Sequence, residues 1–221
     1  MATSYSPKII TDGLVLCLDA GDRKSYSGSG STWTDRSGQG NNGTINGATF
    51  SSNNNGYFSF DGTNDTVSIT EITLTTQWTI SYWFYHNAAS SYEMTIGKNG
   101  ENANRFYHRD TGSSYRLRVH NDEAVDVQDM VMPDRRQKWT HLAYSMNSSA
   151  GKVIGWVNGE KSLDASNSSS ATFVIDNLGL PYTNTSFHWL GYIGPVHVHN
   201  KQLTDAEALQ NYNATKGRFG L

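Results

Sequence analysis

Short runs in which apolar and polar residues alternate recur along this chain, and they limit its fold more than any other feature. In residues 77–85 (QWTISYWFY), Trp78, Ile80, Tyr82 and Phe84 fall on one side, and Thr79, Ser81, Trp83 and Tyr85 on the other. A period of two marks a strand, because successive side chains point to opposite faces. Aromatics on both sides mark a central strand whose second face is partly covered. Residues 115–120 (YRLRVH) alternate more cleanly, with Tyr115, Leu117 and Val119 inward and Arg116, Arg118 and His120 outward. Phe58 and Phe60, then Val67 and Ile69, repeat the pattern. Residues 138–146 (KWTHLAYSM) set Trp139, His141, Ala143 and Ser145 against Leu142, Tyr144 and Met146. The next run, 151–159, completes an antiparallel hairpin joined at 147–151 and ends in the turn pair Asn158-Gly159. Further strands are expected at 13–19, 171–176, 187–192 and 195–199.

Ser, Thr, Asn and Gly make up 87 of the 221 residues, and they favour turns and solvated strand faces over helices. Residues 20–50 read as ordered loop with short strands, anchored by Trp33 and Phe50. The one helix signal comes late. Thr204 and Glu207 have capping-box spacing, which predicts two or three turns with Ala206, Leu209 and Tyr212 toward the core and Gly217 near the exit. Many strands, no βαβ alternation and one late helix predict an all-β fold, an antiparallel β-sandwich with one short C-terminal helix. Residues 1–12 read as an N-terminal arm and 13–221 as a single domain.

Lys and Arg number 17 against 20 Asp and Glu, a net charge of −3, so a polybasic nucleic-acid binder is not expected. No run reaches the roughly 20 apolar residues of a membrane helix. The N-terminal residues lack a charged start and an apolar stretch, so assembly in a cytoplasm is expected. The single Cys17 excludes an intrachain disulfide framework and reads as a small buried hydrophobe. The chain has no Gly-x-Ser-x-Gly, Walker-type or His-Glu-x-x-His motif. Its six glutamates, Glu71, Glu93, Glu101, Glu123, Glu160 and Glu207, never form the Glu-x-Asp-x-x-Glu pattern that would place paired carboxylates on one strand for glycoside hydrolysis. The densest acidic stretch, Asp122, Glu123, Asp126 and Asp129, reads as a solvated edge or loop. No enzymatic activity is expected.

Several strings, taken in order, resemble a known family. They are WTDRSGQGNNGTINGATF (33–50), FSFDGTNDTVSI (58–69), WTISYWFY (78–85), KWTHLAYSM with GKVIGWVNG, and the closing segment 193–220. Together they resemble the concanavalin A-like, laminin-G-like jelly-roll domains, over about residues 9 to 221. His199 and Arg36 depart from the family's usual residues. The start GLVLCLDAGDRKSY and the end NYNATKGRFG are similar to such domains in virion proteins of large tailed phages of marine and cyanobacterial hosts. The resemblance implies a non-enzymatic virion structural protein (a surface decoration, fibre or tail-associated module) located in the virion and assembled in the host cytoplasm. Its partners would be other virion proteins or further copies of itself, with no nucleic acid and no membrane. The arm 1–12 would dock on neighbours by strand addition, so its deletion should leave a folded monomer. The alternative is an adhesin or lectin recognising a host surface carbohydrate.

For a carbohydrate, Trp33, Tyr92, Tyr182 and Trp189 are the aromatic candidates, and each competes with a reading as core or loop anchor. No cofactor is required. The resemblance leaves room for a rim calcium at Asp61, Asn64 and Asp65, with Asp19 and Asp22 as a second oxygen-rich turn. The preferred reading of the first group is a tight turn. His197 and His199 share one strand face and are expected to point out to solvent, because zinc would need a third ligand. His141 is expected to be structural.

Overall fold

The computed structural model describes residues 8–87, 92–101, 103–110, 114–123, 127–179 and 187–221. These form sixteen strands and one α-helix. The strands are β1 (Leu14–Leu18), β2 (Thr32–Trp33), β3 (Gly43–Asn46), β4 (Thr49–Ser51), β5 (Tyr57–Asp61), β6 (Thr66–Leu74), β7 (Gln77–His86) and β8 (Glu93–Gly97). They continue with β9 (Arg105–Asp110), β10 (Tyr115–His120), β11 (Met130–Met132), β12 (Thr140–Asn147), β13 (Lys152–Val157), β14 (Glu160–Ser166), β15 (Phe173–Leu178) and β16 (Leu190–His199). The helix α1 spans Asp205–Thr215 and runs into a 3-10 turn, Lys216–Phe219.

Two antiparallel sheets stack face to face. The first has the order β14-β13-β12-β7-β16-β5-β4, and β1 also pairs with β16. The first half of β16 bonds to β5, and its second half bonds to β1. The second sheet runs β11-β10-β9-β8-β15-β6-β3-β2. One core fills the gap, and alternation decides which residues enter it. Trp78, Ile80, Tyr82 and Phe84 of β7 lie beside Leu142, Tyr144 and Met146 of β12 and Val196 and Val198 of β16. Phe106, Leu117, Val119, Phe173 and Ile175 reach them from the second sheet. Burying one such side chain contributes about 1.5–3 kcal/mol, so this interior dominates the fold's stability.

The hairpin of β12 and β13 forms with Asn147 opposite Lys152. Asn158 and Gly159, at φ 51° and 79°, make the next turn. A Cβ at Gly159 would also stand 2.8 Å from Leu209 and Tyr212 of the helix. The strands expected at 187–192 and 195–199 are one strand, β16. Its pairing with β7 slips between Ile193 and Val196, and the irregularity holds Pro195, which has no N–H to give to a ladder.

The outer face of the first sheet is also closed. Ala208 packs on Ala143 and Trp156. The Trp83 ring stacks on Phe219 at 4.2 Å and donates its Nε1–H to Thr215 Oγ1 at 2.8 Å. The Trp156 Nε1–H donates to Asp205 Oδ1 at 2.9 Å. The Thr204–Glu207 capping box is present. The helix nevertheless turns Ala208, Asn211 and Thr215 inward, not Ala206 and Leu209, and Leu209 is 43% exposed. A sheet face of Ser, His and Trp offers hydrogen bonds and flat rings, which suit a small residue and two polar ones better than a leucine.

The same cover corrects the reading of His197 and His199. They do point away from the core, but at 3% and 0% exposure neither meets solvent. His199 Nε2 lies 3.0 Å from the Ile10 carbonyl, and the Ile10 N–H donates to Asn211 Oδ1 at 2.7 Å. Residues 8–12 are therefore held against β16 and α1 of their own molecule. The remainder of the expected docking arm, 1–7, lies outside the described residues. His141 is buried too. Burial pushes both His141 and His197 down to about 3, and the neighbouring His199, His141 and Arg218 add to the effect on His197. No helix of the described residues is long and apolar enough to cross a membrane.

Candidate binding face

Among the described residues, the outer face of the second sheet carries no helix comparable to α1. Its chemistry follows from the alternation of β9 and β10. Phe106 and His108 point inward, so Arg105, Tyr107 and Arg109 point outward. On β10 the outward set is Arg116, Arg118 and His120. The antiparallel register sets Arg109 opposite Arg116, Tyr107 opposite Arg118 and Arg105 opposite His120. Val131 of β11 lies beyond Arg116. Four arginines thus share one face in a chain of net charge −3.

Each rung is wired differently. Arg105 donates from Nε (3.1 Å) and Nη2 (2.8 Å) to His120 Nδ1. That makes Nδ1 an acceptor and places the imidazole proton on Nε2, which lies 3.1 Å from Tyr107 Oη. Arg118 forms a two-pronged pair with Asp129, at 2.8 and 2.9 Å. Arg116 reaches the same carboxylate only at 3.5 Å. The Arg109 guanidinium lies over the Tyr92 ring, 5.1 Å from its centroid, and makes no ion pair among the described residues. Tyr92 is half-buried and contacts Tyr107 and Phe187. The face therefore combines an aromatic platform with planar, charged hydrogen-bond donors.

The other sequence candidates fall elsewhere. Trp33 and Trp189 are fully buried and offer no ring to a sugar: Trp33 packs on Phe58, and Trp189 stacks on His86 at 4.7 Å. Tyr182 lies outside the described residues. Asp61, Asn64 and Asp65 close a tight turn. Asp61 Oδ1 accepts the Thr63 N–H at 2.8 Å, and Asp65 Oδ2 accepts the Asp61 N–H at 2.9 Å. Burial raises the Asp65 carboxyl above its usual range. Backbone donors aim at the oxygens a calcium ion would need, so this set fits the ion poorly. The second oxygen-rich turn already holds a cation of the protein's own. Arg218 binds both oxygens of Asp19, at 2.9 and 2.7 Å, and the carbonyls of Asn54, Asn55 and Gly56.

A buried polar chain went unnoticed in the sequence. Thr95 Oγ1, Tyr82 Oη, His108, Tyr115 Oη and His86 follow one another at 2.9 to 3.1 Å. His86 ends it 3.1 Å from Glu93, off the line of a good hydrogen bond, and Glu93 also accepts the Leu190 N–H at 2.8 Å. Burial and the neighbouring His86 hold His108 well below the usual histidine range, so it is neutral. The available signal was polarity at inward positions, as in His108 and Asp110. Tyr115 borders a recess of about 340 Å³ with Asp110, Ser114 and Arg136.

Solved structures share this architecture. Domain 4 of AbnA, a GH43 extracellular arabinanase from Geobacillus stearothermophilus in complex with arabinotriose, superposes with a TM-score of 0.69 at 14% identity, covering 90% of this chain and 98% of that one. The botulinum neurotoxin serotype D ligand binding domain in complex with N-acetylneuraminic acid gives 0.70 at 12% identity, over 92% and 51%. The binding domain of Paraclostridial Mosquitocidal Protein 1 gives 0.66 at 13%, over 92% and 52%. The chain spans about half the length of these toxin binding domains. No curated protein sequence is significantly similar to it. At these identities the structures speak for the fold. A sequence-family model matches residues 61–208, more than half of the chain, and the protein belongs to that family, the concanavalin A-like lectin/glucanases superfamily.

Proposed function

We propose that the protein is a non-catalytic carbohydrate-binding module that takes its ligand on the outer face of the second sheet. The observation that carries the reading is Tyr92, half-buried, with the Arg109 guanidinium over its ring. Sugars bind against aromatic rings and accept hydrogen bonds from fixed donors, and this pair sets a ring beside a planar charged donor. Carbohydrate complexes of solved structures with the same fold support the reading. Trp33 and Trp189, being core residues, have no part in it. A glycan array followed by calorimetry tests the proposal. Tyr92→Ala should abolish binding while leaving the fold intact. Unchanged binding by that variant, or no glycan bound at millimolar concentration, overturns it.

Within the proposal we place the module on a phage particle, as the family resemblance implies, with this face toward the host surface. The opposite, helix-bearing side would meet other virion proteins. Mass spectrometry of purified particles tests that setting, and absence of the chain from them removes it without touching glycan binding.

A further inference from the structure

We propose that the ligand of this face is anionic, a sugar chain bearing carboxylate or sulfate groups, and that the Arg109–Arg116 rung receives the acid. This rests on the carbohydrate reading above. The argument begins with an unresolved charge. Arg109 and Arg116 stand opposite each other on neighbouring strands, and like charges in that position destabilise a sheet. The protein supplies an acid to one member of the rung only, for Arg109 pairs with none among the described residues. Asp129 holds Arg118 with both oxygens and reaches Arg116 at 3.5 Å, so one carboxylate is shared between two arginines. Arg116 has Ser114 Oγ as its other partner, at 3.3 Å. Arg109 has the Tyr92 ring.

Ligand chemistry completes what the rung lacks. A carboxylate or sulfate between Arg109 and Arg116 would take planar, two-pronged donors from both sides. The ring bearing the acid would then lie beside Tyr92. Sheet geometry fixes the two backbone positions on adjacent strands, so only the side chains remain to be ordered on binding. The chain's overall charge is negative, so an acidic polymer would be drawn to this face and repelled from the rest.

The test uses the full chain and calorimetry against four probes. These are oligogalacturonate, its methyl ester with the same backbone and no charge, dextran sulfate, and polyphosphate. The expected result is binding of the uronate or the sulfated sugar, at least ten-fold weaker binding of the methyl ester, and several-fold loss between 50 and 300 mM salt, roughly as screening requires. Arg109→Gln and Arg116→Gln should each weaken binding at least ten-fold, while the exposed Arg23→Gln should not. Arg109→Gln should keep or raise the melting temperature, because it removes a repulsion and no ion pair; a purely structural role would lower it. Binding of the ester as tightly as the acid overturns the anionic inference and leaves the carbohydrate reading standing. Polyphosphate bound as tightly as the sugars overturns the sugar as occupant. No binding of any probe, with no neutral glycan bound either, overturns both readings.

Discussion

Mild acid should destabilise this protein before most of its carboxylates titrate. His141 and His197 are buried under α1, and burial holds each down to about 3. In the unfolded chain each titrates near 6.5. Their folded values are depressed, so between pH 6.5 and 3 the unfolded state binds more protons, and stability falls as pH falls through that window. At pH 5 the loss is about 2 kcal/mol for each histidine and about 4 kcal/mol for the pair. A domain typically has 5–15 kcal/mol in all, so the effect is large. His108 and His199, also depressed by burial, act in the same direction. Asp65 and Asp176, raised by burial, oppose it weakly. Carboxyls lowered by ion pairs, such as Asp134 beside Arg136, lose their contribution only in stronger acid. Urea unfolding at pH 7.5 and pH 5.0 gives the difference from the midpoints, provided the slopes agree. His141→Phe, if it folds, should reduce the pH dependence by about 2 kcal/mol, half the pair's expected loss. Equal midpoints at the two pH values would refute the reasoning, as would an unchanged acid slope in that variant.

Three further outcomes are expected. Arg218→Ala should destabilise by about 2–4 kcal/mol, because it strips the partner from a largely buried Asp19 carboxylate and three carbonyls. In urea, a loss below about 0.5 kcal/mol, the scatter of ordinary surface substitutions, would contradict this. Gly21→Ala should disrupt the same corner, since its Cβ would stand 1.9 Å from the Asn55 carbonyl and 2.3 Å from Arg218, and a variant melting with the wild type would count against it. Trp189→Ala should cost about 3–5 kcal/mol as a core truncation, and any glycan affinity of the surviving folded fraction should match the wild type.

Strong alternation made much of this fold legible. In β7, β10 and β12 the inward positions are almost all apolar, so the period of two stood out and assigned each face. β8 and β9 were not recognised, because their inward positions carry Glu93, Thr95, His108 and Asp110 and the alternation is masked. That omission hid the site as well. Arg116, Arg118 and His120 were assigned outward, but the rung exists only through Arg109 on the missed strand. Tyr92 was named as an aromatic candidate without its cation. The helix was placed by its capping box, and of its expected inward residues Tyr212 does stack on Trp83 while Ala206 and Leu209 face solvent. A helix covering a polar sheet selects residues by hydrogen bonding, and the search for an apolar stripe assumed a greasy partner. For the same reason His197 and His199 were read as exposed: alternation gives the face a residue points to, not what covers that face.

The central claim is that the outer face of the second sheet is where this protein meets its ligand. Amide NMR of the labelled chain, titrated with an oligosaccharide that binds, tests it most directly. The account expects the shifts to gather on β9 and β10 and at Tyr92, strongest around Arg109 and Arg116. Shifts gathered on α1, on the Asp61–Asp65 turn or around Arg218 would contradict it.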